Sequence, residues 1–137
     1  MQLMRFGLRV FGALVAAFGA TTWWALESGG VAVIETRTPE GGVRSTHVWY
    51  AEPDGELWLE AGTPENAWFQ DVQHDPELSF AAAGGSVRYV ARPASGASDH
   101  ARIRSLMREK YGLRDRWVGL IFETSHSVAV QLLPAVE

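Results

Sequence analysis

The sequence predicts a mostly-β domain of the α+β class: an antiparallel sheet, closed or partly closed on itself, with flanking helices and an N-terminal apolar helix before it. Three observations predict this. Short β-branched runs are separated by tight Gly/Pro turns. Two stretches with helical apolar spacing interrupt and follow the strands instead of alternating with them. A 17-residue run without charge, Val10 to Leu26, opens the chain.

The leader carries Arg5 and Arg9 and no acid before that run, and Glu27-Ser28-Gly29-Gly30 ends it. Its length sits at the lower limit for a spanning helix, and Trp23-Trp24 at its end suit headgroup depth. Gly12, Ala16 and Gly19 form a smooth stripe. Three readings stand: an uncleaved membrane anchor, a helix lying in the interface or packed on the body, and a cleaved signal peptide. The last lacks a clean small-x-small cleavage site. The two arginines favour a cytoplasmic N-terminus and an external body. The supply of a soluble cofactor favours a body on the cytoplasmic face, the side preferred here.

Val31 to Thr38 is β-branched and ends at Pro39, a first strand. Pro39-Glu40-Gly41-Gly42 turns the chain into a second, Val43 to Glu52, with Arg44, Thr46, Val48 and Tyr50 on one face and Ser45, His47 and Trp49 on the other. After Pro53-Asp54-Gly55, Glu56 to Ala61 is a third, completing an antiparallel meander. Thr63-Pro64-Glu65 has the residues of a helix start, with Thr63 as cap, and Asp75-Pro76 a stop. Leu78 to Ala83 and Ser86 to Arg92 read as two strands or one bent at Gly84-Gly85. Ser98-Asp99 starts a helix carrying Ile103, Leu106, Met107 and Tyr111, and Gly112 ends it. Arg114 to Ile121 is a further short helix and Ser127 to Leu133 a final strand.

With 137 residues the chain has room for one domain. A net charge of −4, signs mixed, argues against nucleic-acid binding. The absence of cysteine excludes disulfides, thiolate nucleophiles and iron–sulfur clusters. His47, His74, His100 and His126 show no i, i+4 pair, so no metal site is expected. No Gly-x-Ser-x-Gly elbow is present. Six tryptophans serve either packing or the border of a planar ligand.

Three stretches carry a resemblance. The first is Thr36-Arg37-Thr38 followed by Gly42-x-Arg44-Ser45-Thr46-x-Val48-Trp49-Tyr50. The second is Ala61-Gly62 to Trp68, then Asp75-Pro76-Glu77-Leu78. The third is Glu109-Lys110-Tyr111-Gly112 with Arg116-Trp117-Val118-Gly119-Leu120, ahead of Val128-Ala129-Val130 and Pro134. In order and spacing these resemble the FMN- and deazaflavin-binding split β-barrel family, in its nitroreductase/quinone-reductase, pyridoxamine-phosphate-oxidase-like branch. The resemblance spans most of residues 31–134 and implies a split-barrel domain over 30–137; the uncharged run makes residues 1–29 an apolar, membrane-associating helix ahead of it.

It further implies FMN or a deazaflavin as cofactor, a small-molecule acceptor, and a homodimer holding the cofactor between chains. Members that grip the deazaflavin's anionic tail place Lys or Arg around the third-strand turn and the following helix. Here that region reads Gly62-Thr63-Pro64-Glu65-Asn66, an acid and no base. A phosphate grip then falls on Arg37, Arg44 and backbone N–H groups around Gly62 and Thr63. Ser45, Thr46 and His47 are donors to a cofactor, or polar strand residues facing water. Arg44 is a clamp, or a solvated edge-strand arginine. Trp49 and Trp68 are ring-stacking walls or core; Trp49, Tyr111 and Trp117 are candidates for lining the substrate opening. No side chain is singled out as catalytic. The function implied is a membrane-associated oxidoreductase passing a hydride to a quinone- or nitro-type acceptor. The alternatives are a non-catalytic cofactor-binding or vestigial split-barrel module and a structural membrane-tethered partner.

Overall fold

A computed structural model describes residues 2–136, with side chains from Phe6 onward. The elements are α1 (Gln2–Glu27), β1 (Val31–Arg37), β2 (Val43–Ala51), β3 (Leu57–Ala61), α2 (Ala67–His74), β4 (Glu77–Ala81), β5 (Ser86–Ala94), α3 (Ala97–Tyr111), α4 (Leu113–Ile121) and β6 (Val128–Pro134). All strand pairs are antiparallel, and the order β1-β2-β3-β6-β5-β4 closes into a barrel through pairing of β1 with β4.

Alternation along the strands decides what lies inside. Ala32, Ile34, Val48, Leu57, Leu59, Leu78, Phe80, Val130 and Leu132 fill the barrel, and α2 adds Trp68, Phe69 and Val72 to that core. A second cluster lies outside the barrel wall, where Ile103, Met107 and Tyr111 of α3 pack on Ala51, Trp58 and Ala129. That 4-residue spacing on α3 is the amphipathic stripe the sequence shows.

The meander, the two later strands and the helices fall where the sequence puts them, with one shift. The helix expected from Thr63 begins at Ala67. Residues 63–66 form a turn instead, closed by the Asn66 N–H donating to the Thr63 carbonyl at 3.1 Å. Thr63 donates its hydroxyl to the Glu65 carboxylate, so it organises the turn and does not cap α2. Residues 77–94 are two strands, with Ala83, Gly84 and Gly85 at positive φ between them.

Among the described residues one helix is long and apolar enough to cross a membrane by length and composition, Phe6–Glu27. Its N-terminal part stands free of the barrel, while Ala25 is fully buried.

Candidate functional site

The last turns of α1 and Gly29 just after them are bound to the body by side chains from two elements, β2 and α4. Arg114 of α4 donates to the carbonyls of Ala25 (2.9 Å) and Gly29 (2.7 Å), a cation at the negative end of a helix. The Trp49 indole N–H donates to the Leu26 carbonyl (3.2 Å), the Trp117 N–H to the Thr22 hydroxyl (3.1 Å), and His47 pairs with Glu27. Trp49 also stacks on Tyr111, centroids 4.1 Å apart. Burial pushes the Tyr111 phenol up to about 12; its oxygen donates to the Gly30 carbonyl (2.6 Å) and accepts from the Tyr50 N–H (3.0 Å).

Beneath this docked turn lies a cavity of about 480 Å³, within the size range of small-molecule sites. Its apolar wall is Leu26 of α1, Trp49 of β2, Val118 of α4 and Phe122. Gly62, Thr63 and Asn66 of the turn after β3 form another side, and Glu60, Arg104 and Glu123 supply charge.

Arg104 is paired with two acids. Its Nη1 donates to both Glu60 carboxylate oxygens (2.8 and 2.9 Å) and its Nη2 to Asp115 at 2.5 Å. All three side chains are nearly buried, 12%, 8% and 5% exposed. Burial alone would lower the guanidinium's pKa; Glu60 and then Asp115 outweigh it and raise the pKa. At the rim, hydrogen bonds led by the Thr63 hydroxyl hold Glu65 below the usual carboxylate range, and those from Ser125 do the same for Glu123. The cavity lining therefore sets one cation, Arg104, against two carboxylates, Glu60 and Glu123, with Asp115 a third acid on Arg104 and Glu65 hydrogen-bonded to the lining residue Thr63.

Of the residues singled out by sequence, the structure brings Trp49, Gly62 and Thr63 to this cavity, with Tyr111 behind Trp49. Arg44 does not line it. Its side chain points with Thr46 toward the barrel interior, and its Nε donates at 2.7 Å to Asp71, which is 2% exposed and also takes the Thr36 hydroxyl at 2.7 Å. Arg37 pairs with Asp75 at 3.0 Å. Ser45 is exposed on the outer face of β2, across from Glu35. Trp68 is buried among core side chains, edge-on to Phe69, away from any ring-stacking surface. Trp117 lines a separate groove against Leu14 and Phe18 of α1.

Leu26, Asn66, Val118, Phe122 and the Glu60–Arg104–Asp115 cluster were not foreseen. One signal existed: Arg104 adjoins the Ile103/Met107 stripe, where a charge needs a partner.

No protein-family model and no curated protein matches the sequence. Solved structures do. A conserved hypothetical protein from Mycobacterium tuberculosis superposes with TM-score 0.65 at 20% identity, over 86% of this chain and 79% of that one. The fold is the split barrel. An F420-H2 dependent reductase shares it, with TM-score 0.57, 16% identity and coverage of 75% and 94%. The haem storage protein HutZ of Vibrio cholerae shares it too, with TM-score 0.59, 11% identity and coverage of 82% and 87%. This chain thus shares its fold with an F420-H2 dependent reductase and with a putative pyridoxamine 5'-phosphate oxidase from Listeria innocua.

A flavin or deazaflavin brings a phosphate. Among the described residues lining the cavity the one cation is Arg104, and its charge is already matched by Glu60 and Asp115. The apolar wall fits a flat ring; the charge around it does not fit an anionic tail.

Proposed function

We propose that this chain is a membrane-anchored redox protein of the split-barrel class that acts on a neutral, membrane-borne acceptor of the quinone or nitroaromatic type. The observation that carries the reading is the shared wall: Leu26, in the last turn of the apolar helix, is also a wall of the cavity. A ligand dissolved in the bilayer would reach that cavity without crossing water. Its rings would lie along Leu26, Trp49 and Phe122, and its oxygens would meet Thr63 and Asn66. The surplus of carboxylates favours an uncharged ligand over an anion. Anchoring by α1 on the cytoplasmic face belongs to the same proposal; FMN or a deazaflavin as electron source would have to keep its phosphate outside the cavity, away from Glu60 and Glu123.

The paired arginines favour a second reading, a barrel that binds the neutral ligand without redox turnover. One experiment separates the two. The full chain is purified in detergent from a host making both flavins and deazaflavins, its absorbance spectrum is taken, and a short-chain quinone is titrated against tryptophan fluorescence. Bound chromophore that quinone reoxidises supports the enzyme; quinone binding by a colourless protein supports the carrier. In both cases Thr63→Trp, which fills the cavity, weakens quinone binding by about tenfold or more, the cost of losing one good apolar subsite. Unchanged binding in that variant removes the cavity from the reading.

A further inference from the structure

Helix α4 runs antiparallel to α1. Arg114 meets the carbonyls of Ala25 and Gly29, and one turn later Trp117 meets Thr22 and packs on Phe18 at 5.7 Å. The next turn of α4 therefore lies level with residues 14–18 of α1. At a rise of 1.5 Å per residue, Leu120 sits roughly 10 Å beyond Trp23-Trp24 along α1. Leu120 is 82% exposed, and Phe122 and Leu113 are exposed too.

Between the two helices is a groove lined by Leu14, Val15, Ala17, Phe18, Thr21 and Trp117. Its polar groups are already paired. The Thr21 and Thr22 hydroxyls donate to the carbonyls of Ala17 and Phe18 at 2.8 Å, and the Trp117 N–H is on Thr22. A surface whose donors are satisfied internally can enter hydrocarbon without a desolvation cost. The chain becomes polar again at Glu123, which turns back to line the cavity and accepts from the Ser125 N–H. Arg116, one turn back along α4 from Leu120, is exposed at about the level of the tryptophans, where a long cationic side chain reaches headgroups.

We propose that the tip of α4, Leu120 and Ile121, is a second membrane-inserted element. It enters one leaflet beside α1 as an antiparallel wedge, with acyl chains in the groove between them. This rests on the reading of α1 as a bilayer anchor. With Trp23-Trp24 at headgroup depth, Leu120 falls inside the near half of a hydrocarbon core about 30 Å thick. Two contacts fix the barrel against the membrane where one would leave it to swivel, and they hold the cavity mouth, between Leu26 and Phe122, at the interface.

The chain has no cysteine, so single-cysteine variants report one position each. Leu14→Cys, Leu120→Cys and Val87→Cys, all at exposed positions, are labelled with bimane. The full chain is then reconstituted into phosphatidylcholine/phosphatidylglycerol vesicles with nitroxide on the acyl chains. The expected result is loss of about half or more of the emission at positions 14 and 120 and little at 87, as their depths dictate. Quenching at 14 with position 120 behaving like 87 overturns the wedge and leaves the anchor standing. Absence of quenching at both overturns the anchor and the wedge together. A label at 120 that is blue-shifted, untouched by nitroxide lipid and quenched by a nitroxide-labelled second copy assigns the surface to self-association and also overturns the wedge.

Discussion

Arg44 is the residue the sequence offers most readily as an anion clamp, and the structure gives it a different task that can be measured. Its Nε reaches Asp71 on α2 at 2.7 Å, and the Thr36 hydroxyl reaches the same carboxylate oxygen. This is a latch holding α2 over the barrel. Arg44→Met leaves a carboxylate that is 2% exposed with one neutral donor. Breaking a buried pair from one side costs about 3–5 kcal/mol. Arg44 itself is 39% exposed, so water replaces part of the lost contact and about 2–3 kcal/mol is expected. At about 3–5 °C per kcal/mol for a chain of this size, the midpoint falls by about 6–15 °C. Replacing both partners, Arg44→Met with Asp71→Leu, removes the stranded charge and recovers most of that loss. Urea titration of the full chain in detergent, followed by the fluorescence of buried Trp68 on α2, reads all four corners of the cycle. A change below about 0.5 kcal/mol for Arg44→Met, or strict additivity in the double variant, refutes the latch.

Arg104→Met leaves Glu60 and Asp115 without their cation at nearly buried positions; a loss of about 3–5 kcal/mol by the same urea assay is expected. Tyr111→Phe removes the hydroxyl shared by Gly30 and Tyr50, costing about 1–2 kcal/mol. Because the folded-state phenol pKa is raised from 10.0 to about 12, its contribution is complete below pH 10 and fades as pH rises toward 12; the variant's stability should lack that alkaline decline. Glu65→Lys combined with Glu123→Gln turns the cavity rim from acidic to basic. FMN binding, followed by flavin fluorescence, should tighten about tenfold or more through a charge-assisted phosphate contact, and an unchanged affinity would show that rim charge does not control what enters.

The fold was legible because its signals are local. Gly41-Gly42, Pro53-Asp54-Gly55 and Gly84-Gly85 mark turns between runs of period two, and Ile103, Met107 and Tyr111 mark one face of α3. The helix start at Thr63 failed for a local reason as well: Glu65 drew the Thr63 hydroxyl, and the chain needed four residues of turn before α2 could cover the barrel. The site was less legible because its pairs are distant in sequence. Asp71 stands 27 residues from Arg44, and Asp115 and Glu60 reach Arg104 from different elements. The alternation did hold a clue. It put Arg44 on one face with Val48 and Tyr50, and an arginine facing a barrel interior must find an acid there.

Composition separates residues 1–29 from the body at Gly29-Gly30, but the cavity does not respect that division. Without Leu26 one wall is missing, and Trp49 loses the carbonyl that fixes its indole. Arg114, Trp49, Trp117 and His47 each spend a polar group on the last turns of α1. Such a set of directional contacts would be superfluous for a tether whose only task is to keep the barrel near a surface, since an unstructured linker would do that. A helix held in fixed register instead makes α1 and the cavity one structural unit. Any displacement of α1 must then move the cavity wall with it.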